Sequence, residues 1–200
     1  MTGAGGTIEP RRHGAALPER AGLVPTPSQT IGPYLSIGLD PLERPTVVPH
    51  DTPGSVFLQG QVLDGAGRPV PDAVVELWQA DPTGRYVGAE QAGAWFGRCL
   101  TDAEGRFGFT TVKPGPVALR SGQPQAPHLE LLVFARGLLR PVRTRCYFPD
   151  EAEANGRDPV LTGIPDEGRR RTLVAASEDD GRLRFDVHLQ GALETVFFAV

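Results

Sequence analysis

The sequence predicts an all-β fold: a β-sandwich of about eight to nine strands with an N-terminal arm and a short helical insertion near the C-terminus. Short runs of alternating apolar and polar residues recur along most of the chain, which is the pattern of half-buried strands. The 25 glycines and 20 prolines are spread between these runs, as in a protein with many tight turns. At 200 residues, the chain is long enough to bury one core.

The N-terminal part is expected to precede the sandwich. Residues 1–25 lack periodicity and predict a disordered tail. The motif TPSQTIGPY (Thr26–Tyr34) is predicted to be extended rather than helical, because a proline disfavours helix at the residue before it. Four further prolines follow before the first strand-like run and predict loops. We therefore expect an arm with loops over 26–55 and the sandwich domain over 56–200.

Eight runs are predicted as strands. Val56–Asp64 and Ala73–Ala80 are the first two, and FGRCLTD and GRFGFTTV are predicted to form a hairpin. HLELLVFAR and VRTRCYF make another pair, and RLRFDVHLQ and TVFFAV close the chain. The exception is Pro149–Ala176, where acids precede arginines and suit the helix dipole, so two short helices are predicted there.

Composition excludes several classes of function. A net charge of −4 gives no electrostatic footprint for nucleic acid or for an anionic membrane. The sequence has no apolar run of about 18 residues and no apolar N-terminal segment, so neither a membrane span nor an export signal is expected. Cys99 and Cys146 both lie in strand-like runs, and this usage favours a reducing, cytoplasmic location.

The first candidate site is the pair His128 and Glu130. They are two residues apart in a predicted strand, so their side chains face the same side. With a third ligand such a pair could hold a metal, but no further His or Cys motif supports zinc. A single strand histidine is more commonly hydrogen-bonded to a neighbour, and the residues alone favour that role. No motif indicates a nucleophile.

The second candidate is Tyr34. Gly32 and Pro33 before it suggest a preformed loop that presents its phenol and nearby backbone. The alternative is a packing anchor for the N-terminal arm, which the chemistry of the residues alone favours.

Five stretches, in this order, resemble the intradiol ring-cleaving dioxygenases: TPSQTIGPY, GQVLDGAGRPVPDAVVELWQADPTGRY, FGRCLTDAEGRFGFTTVKPG, APHLELLVFARGLLRPVRTRCYF and RFDVHLQGALETVFF. The resemblance covers about Thr26 to Val200. It implies a β-sandwich enzyme that binds non-haem Fe(III) through two Tyr and two His, and that cleaves a catechol ring between its hydroxyls using O2.

The chain departs from the family pattern at most ligand positions. The segment after Tyr86, VGAEQAGAWFGR, lacks the first tyrosine ligand. The second tyrosine, an arginine, the second histidine and a glutamine are replaced by Val117, Gln125, Glu130 and Arg145, and only His128 matches a ligand. The resemblance thus implies a remnant of a metal site that binds no metal and carries no catalytic residue. We expect Glu130 and Arg145 to form an ion pair there.

The resemblance further implies an α subunit in a hetero-oligomer of αβ units. The homologous β subunit would hold the Fe(III) and the catalytic groups, and protocatechuate and O2 would be the substrates of the complex. Gly32, Pro33 and Tyr34 of the arm, together with Arg136, would approach the pocket of the β subunit. For Arg136, an ion pair with the β chain is the alternative.

Two other functions stay open at this point. The fold could serve as a stand-alone binding module without catalysis, or the chain could be an autonomous metalloenzyme using His128, Glu130 and water. An obligate subunit should aggregate when made alone, whereas an autonomous metalloenzyme should carry metal as an isolated chain.

Overall fold

The computed structural model describes residues 26–87, 94–119, 122–179 and 181–199, without the side chain of Ser36. The predicted tail over 1–25 lies outside the described residues. The strands of the described part are β1 (Ser55–Leu63), β2 (Val74–Trp78), β3 (Phe96–Leu100), β4 (Arg106–Val112), β5 (Val117–Ala118), β6 (Pro124–Gln125), β7 (His128–Phe134), β8 (Val142–Tyr147), β9 (Ala176–Ser177), β10 (Leu183–Arg184) and β11 (Val187–His188). Its helices are α1 (Tyr34–Leu39), followed by a 3₁₀ turn at Asp40–Leu42, then α2 (Ala152–Arg157), α3 (Pro159–Thr162) and α4 (Glu167–Arg171). Within these ranges, no helix is long and apolar enough to cross a membrane.

Two sheets face each other across one core, which confirms the predicted β-sandwich. In the first sheet, β1 pairs antiparallel with β4 and parallel with the short β10 and β11, and β9 joins β10. The second sheet has the order β3-β2-β7-β8, with every pair antiparallel. Leu58 and Phe109 from the first sheet and Leu77 and Leu131 from the second lie in the same buried cluster. Burying these apolar faces against each other is what holds the two sheets together.

The predicted hairpin of FGRCLTD and GRFGFTTV is wrong. β3 pairs with β2 and β4 pairs with β1, so the turn between them carries the chain from one sheet to the other. Cys99 on β3 and Phe109 on β4 both belong to the core, to which the two facing sheets each contribute one of them. Asp102 stabilises the turn by accepting hydrogen bonds from the backbone N–H groups of Glu104 and Arg106.

The N-terminal region and the C-terminal run also differ from the prediction. Tyr34, which was predicted to be extended, begins α1, and the rest of this helix lies in the stretch predicted as loops. Pro33 explains this, because its fixed φ suits the first turn of a helix and its missing N–H is not needed there.

RLRFDVHLQ forms two short strands, since the Asp186 carboxylate accepts the Gln61 N–H at 3.0 Å where a ladder bond would lie. Over its described residues, 195–199, TVFFAV contributes one isolated bridge, between Phe198 and Arg143.

The helical insertion is present, but it holds three short helices, α2, α3 and α4, rather than two. Asp158 is the N-cap of α3 and Asp166 is the N-cap of α4, so these two helices each begin at a capping aspartate. A smaller buried cluster, led by Tyr147, Leu161 and Leu173, packs the insertion against the end of β8.

Candidate functional site

His128 and Glu130 lie on the outward side of β7, where they alternate with the core residues Leu129 and Leu131. β8 runs beside this strand and places Arg145 directly opposite Glu130. The predicted common face of the pair is therefore confirmed. We use the name His128 cluster for His128, Glu130, Arg143 and Arg145.

Glu130 and Arg145 form the ion pair that the sequence predicts. The Nε of Arg145 lies 2.7 Å from Oε1 of Glu130, and both side chains are 14% exposed. Arg143 adds a second cation, with its Nε 3.8 Å from the other carboxylate oxygen. Two guanidinium groups thus surround one carboxylate at the edge of the core.

The cluster holds Glu130 in its charged form. Burial by itself would raise the pKa of Glu130, but contact with the His128 ring and the charges of Arg145 and Arg143 together lower it below the ordinary value of 4.5. Burial would lower the pKa of Arg145, but the hydrogen bond to the Tyr147 hydroxyl and the ion pair with Glu130 together raise it.

His128 is 2% exposed and is fixed by a bond to its own backbone segment. Its Nδ1 lies 2.7 Å from the carbonyl oxygen of Ala126, and because a carbonyl can only accept, Nδ1 is the nitrogen that donates. Nε2 has no hydrogen-bond partner among the described residues, and it lies 3.7 Å from Oε1 of Glu130. His128 is thus hydrogen-bonded to a neighbour, as the residues alone favoured.

Asp158 is a member of the site that the sequence reading missed. Its side chain is fully buried, and its Oδ2 accepts the Ala126 N–H at 2.8 Å. Its Oδ1 accepts from the backbone N–H of Leu161 at 3.0 Å and from the Tyr147 hydroxyl at 3.3 Å. Asp158 therefore fixes the residue whose carbonyl orients His128. The signal was available in the Asp-Pro pair at a helix start, where Asp is a preferred N-cap.

The remaining residues of the predicted metal remnant also lie in this region. Val117 and Gln125 face each other in the β5–β6 pair, and the amide nitrogen of Gln125 is buried without a hydrogen-bond partner in the described residues.

This donor set does not fit a ferric ion. Valine has no ligating atom, and Arg145 places a cation on the carboxylate that would have to ligate. Among the residues that the structure describes, no three His, Cys, Asp or Glu side chains form a group able to hold a metal ion.

The other candidate residues lie at the opposite end of β7. Arg136 follows the end of this strand whereas His128 begins it, which separates them by about 25 Å at the usual rise per strand residue. Arg136 pairs with Asp72, Nη2 to Oδ2 at 3.1 Å. Tyr34 is 82% exposed, so within the described residues it is not the packing anchor that its chemistry suggested.

The arm reaches the same end of the sheet. Oγ1 of Thr30 accepts a hydrogen bond from the backbone N–H of Gly137 at 2.7 Å. The sequence candidates thus form two separate groups: the His128 cluster, and a second group made of the arm and Arg136.

Comparisons with known proteins agree with this architecture. The family model described as Dioxygenase matches residues 43–191. The chain is 45% identical over 194 residues to the protocatechuate 3,4-dioxygenase alpha chain of Pseudomonas putida, which covers 88% of this chain and 96% of that relative. It is 34% identical over 152 residues to the protocatechuate 3,4-dioxygenase beta chain of Burkholderia cepacia, covering 68% of this chain and 64% of that one.

The solved structures include the dioxygenase domain of a dioxygenase and carbohydrate-binding fusion protein from Streptomyces sp. SirexAA-E. It aligns with a TM-score of 0.56 and 27% identity, covering 75% of this chain and 89% of that chain.

Proposed function

The chain belongs to the intradiol ring-cleaving dioxygenase family, and from this premise we propose that it is the α subunit of an αβ protocatechuate 3,4-dioxygenase. The complex would join protocatechuate and O2 to give 3-carboxy-cis,cis-muconate. The observation that carries the proposal is the 45% identity to an alpha chain along nearly the whole of both chains. The weaker match to a beta chain is what two homologous subunits would give.

The family implies non-haem iron in the complex, and we infer that the β subunit holds it. The donor set around His128 supports this, because Val117 cannot ligate and Arg145 neutralises Glu130. In the β subunit, the ferric ion would supply the redox chemistry between the catechol ring and O2. We also propose a cytoplasmic location, which the two free, buried cysteines support.

For this chain we propose two tasks, namely holding the β subunit and shaping its substrate pocket. Gly32, Pro33 and Tyr34 are exposed, as residues that reach a partner must be. Arg136 stays 59% exposed while paired with Asp72, so its guanidinium is accessible to a substrate carboxylate. The partner therefore performs the chemistry, and this chain orients and attracts the substrate.

Iron content and activity test this proposal directly. We expect the chain purified alone to be colourless and inactive, and the chain co-expressed with its β subunit to be coloured, active and loaded with one iron per αβ pair. Iron analysis, visible absorbance and O2 uptake with protocatechuate measure this. Stoichiometric iron in the isolated chain would favour the autonomous metalloenzyme, and failure to bind the β chain would favour the stand-alone binding module.

Replacing Arg136 with methionine tests the pocket role. In the αβ complex, we expect KM for protocatechuate to rise on the order of tenfold with little change in kcat, since a charge-assisted contact with the carboxylate is lost. Arg140→Met is the matched control, because Arg140 is an exposed arginine four residues further along the same loop. An unchanged KM in Arg136→Met would leave Arg136 only the contact with the β chain.

A further inference from the structure

The hydrogen bond between Thr30 and Gly137 joins the two segments assigned to the substrate pocket. It spans 107 positions of the sequence and measures 2.7 Å from the Gly137 nitrogen to Oγ1 of Thr30. Thr30 lies two residues before Gly32 of the arm, and Gly137 directly follows Arg136. One exposed side chain therefore links the arm to the turn that carries the arginine.

The turn is built to offer this N–H group. Leu138 donates its N–H to the carbonyl of Ala135 at 3.2 Å, which closes a four-residue turn around Arg136 and Gly137. Gly137 has φ of +91°, as the third position of a type II turn requires. The turn's own hydrogen bond does not use the N–H of Gly137, so this donor is available to the arm.

Arg136 is held from its other side as well. Its guanidinium pairs with Asp72, and Asp72 lines a shallow groove of about 400 Å³ together with Pro71 and with Ile37 of α1. The arm thus reaches the Arg136 region twice, through Thr30 and through Ile37. Of these two contacts, the one that Thr30 makes is a directional hydrogen bond, which a single conservative substitution can remove.

We propose that Thr30 is a positioning residue that orders the arm against the Arg136 turn and so presets the α side of the substrate pocket. This inference rests on the proposed function, since the pocket belongs to the β subunit. Thr30 acts through Gly137 and the arm backbone, and it needs no contact with the substrate. Without the bond, the arm would have to be ordered again at each substrate binding event, and apparent affinity would fall.

The test compares Thr30→Val with Thr30→Ser in the αβ complex. Valine keeps the shape but removes the acceptor, whereas serine keeps the hydroxyl. We expect KM for protocatechuate to rise about fivefold in Thr30→Val, the ratio that matches one ordinary hydrogen bond. We expect kcat to stay within about twofold, because the chemistry belongs to the partner, and Thr30→Ser to recover most of the KM. Thr26→Val, at an exposed position on the same arm, is the control for the substitution itself.

Amide hydrogen exchange at Gly137 gives a second measurement that does not depend on activity. The Gly137 N–H should exchange slowly in the wild type and in Thr30→Ser, and faster in Thr30→Val. Wild-type KM and wild-type exchange in Thr30→Val would overturn the positioning role and leave the proposed function intact. A wild-type complex that does not turn over protocatechuate would overturn the proposed function and the role of Thr30 with it.

Discussion

Replacing Asp158 with alanine is expected to lower the free energy of unfolding by about 4 kcal/mol, because several buried donors lose their acceptor at once. The carboxylate accepts from the N–H groups of Ala126, Val160 and Leu161 and from the Tyr147 hydroxyl. Its side chain is completely buried, so water cannot replace these bonds without opening the core. The loss of stability should extend to β7, which begins at His128, because the Ala126 carbonyl orients the His128 ring.

Asp166→Ala is the matched control for that experiment. Asp166 caps α4 as Asp158 caps α3, but its carboxylate accepts one capping bond among the described residues, from the N–H of Arg169 at 3.0 Å, and this bond lies at the exposed surface. An exposed N-cap of this kind contributes about 1 kcal/mol. Pulse proteolysis in urea, read as the loss of this chain's band on a gel, measures both variants even in the αβ complex. Equal destabilisation of the two variants would show that Asp158 is only a helix cap.

Replacing Glu130 with alanine is expected to cost about 3 kcal/mol of stability, because it leaves Arg145 charged and mostly buried. The Tyr147 hydroxyl, 3.3 Å from the Arg145 guanidinium, is then the main partner left. Removing Glu130 and Arg145 together should cost clearly less than the sum of the single changes, since neither charge remains unpaired. Additive costs in this double-mutant cycle would show that Glu130 and Arg145 do not stabilise the fold as a pair.

Two controls sharpen the Glu130 experiment. Glu153→Ala removes the exposed pair with Arg157 and should change stability very little. The second control is pH. In the folded state the pKa of Glu130 is lowered from 4.5, so the stability that the charged Glu130 contributes is fully present above pH 4.5. The contribution is lost as pH falls through the lower folded pKa. The stability difference between wild type and Glu130→Gln should therefore shrink in acid below pH 4.5.

Which strands pair with each other in a sheet was less predictable than where the strands lie in the sequence. Alternation marked β1, β2, β7 and β8 correctly, because side-chain period is a local property. The hairpin of β3 and β4 failed for a different reason. A tight turn is compatible with pairing in one sheet or with crossing to the facing sheet, and the observed pairing of β3 with β2 and of β4 with β1 decides between them.

The sequence by itself indicated the β-sandwich class, because side-chain period is local, and it indicated the family through the motifs that resemble it. The same resemblance implies that Val117 and Glu130 stand where the family has metal ligands. Only the tertiary structure decided that Asp158 supports the His128 segment and that Thr30 meets Gly137. The residues of the first contact are 32 positions apart in the sequence, and those of the second are 107 positions apart. Which distant groups meet depends on how the sheets pack, a property of the whole core that no local pattern contains.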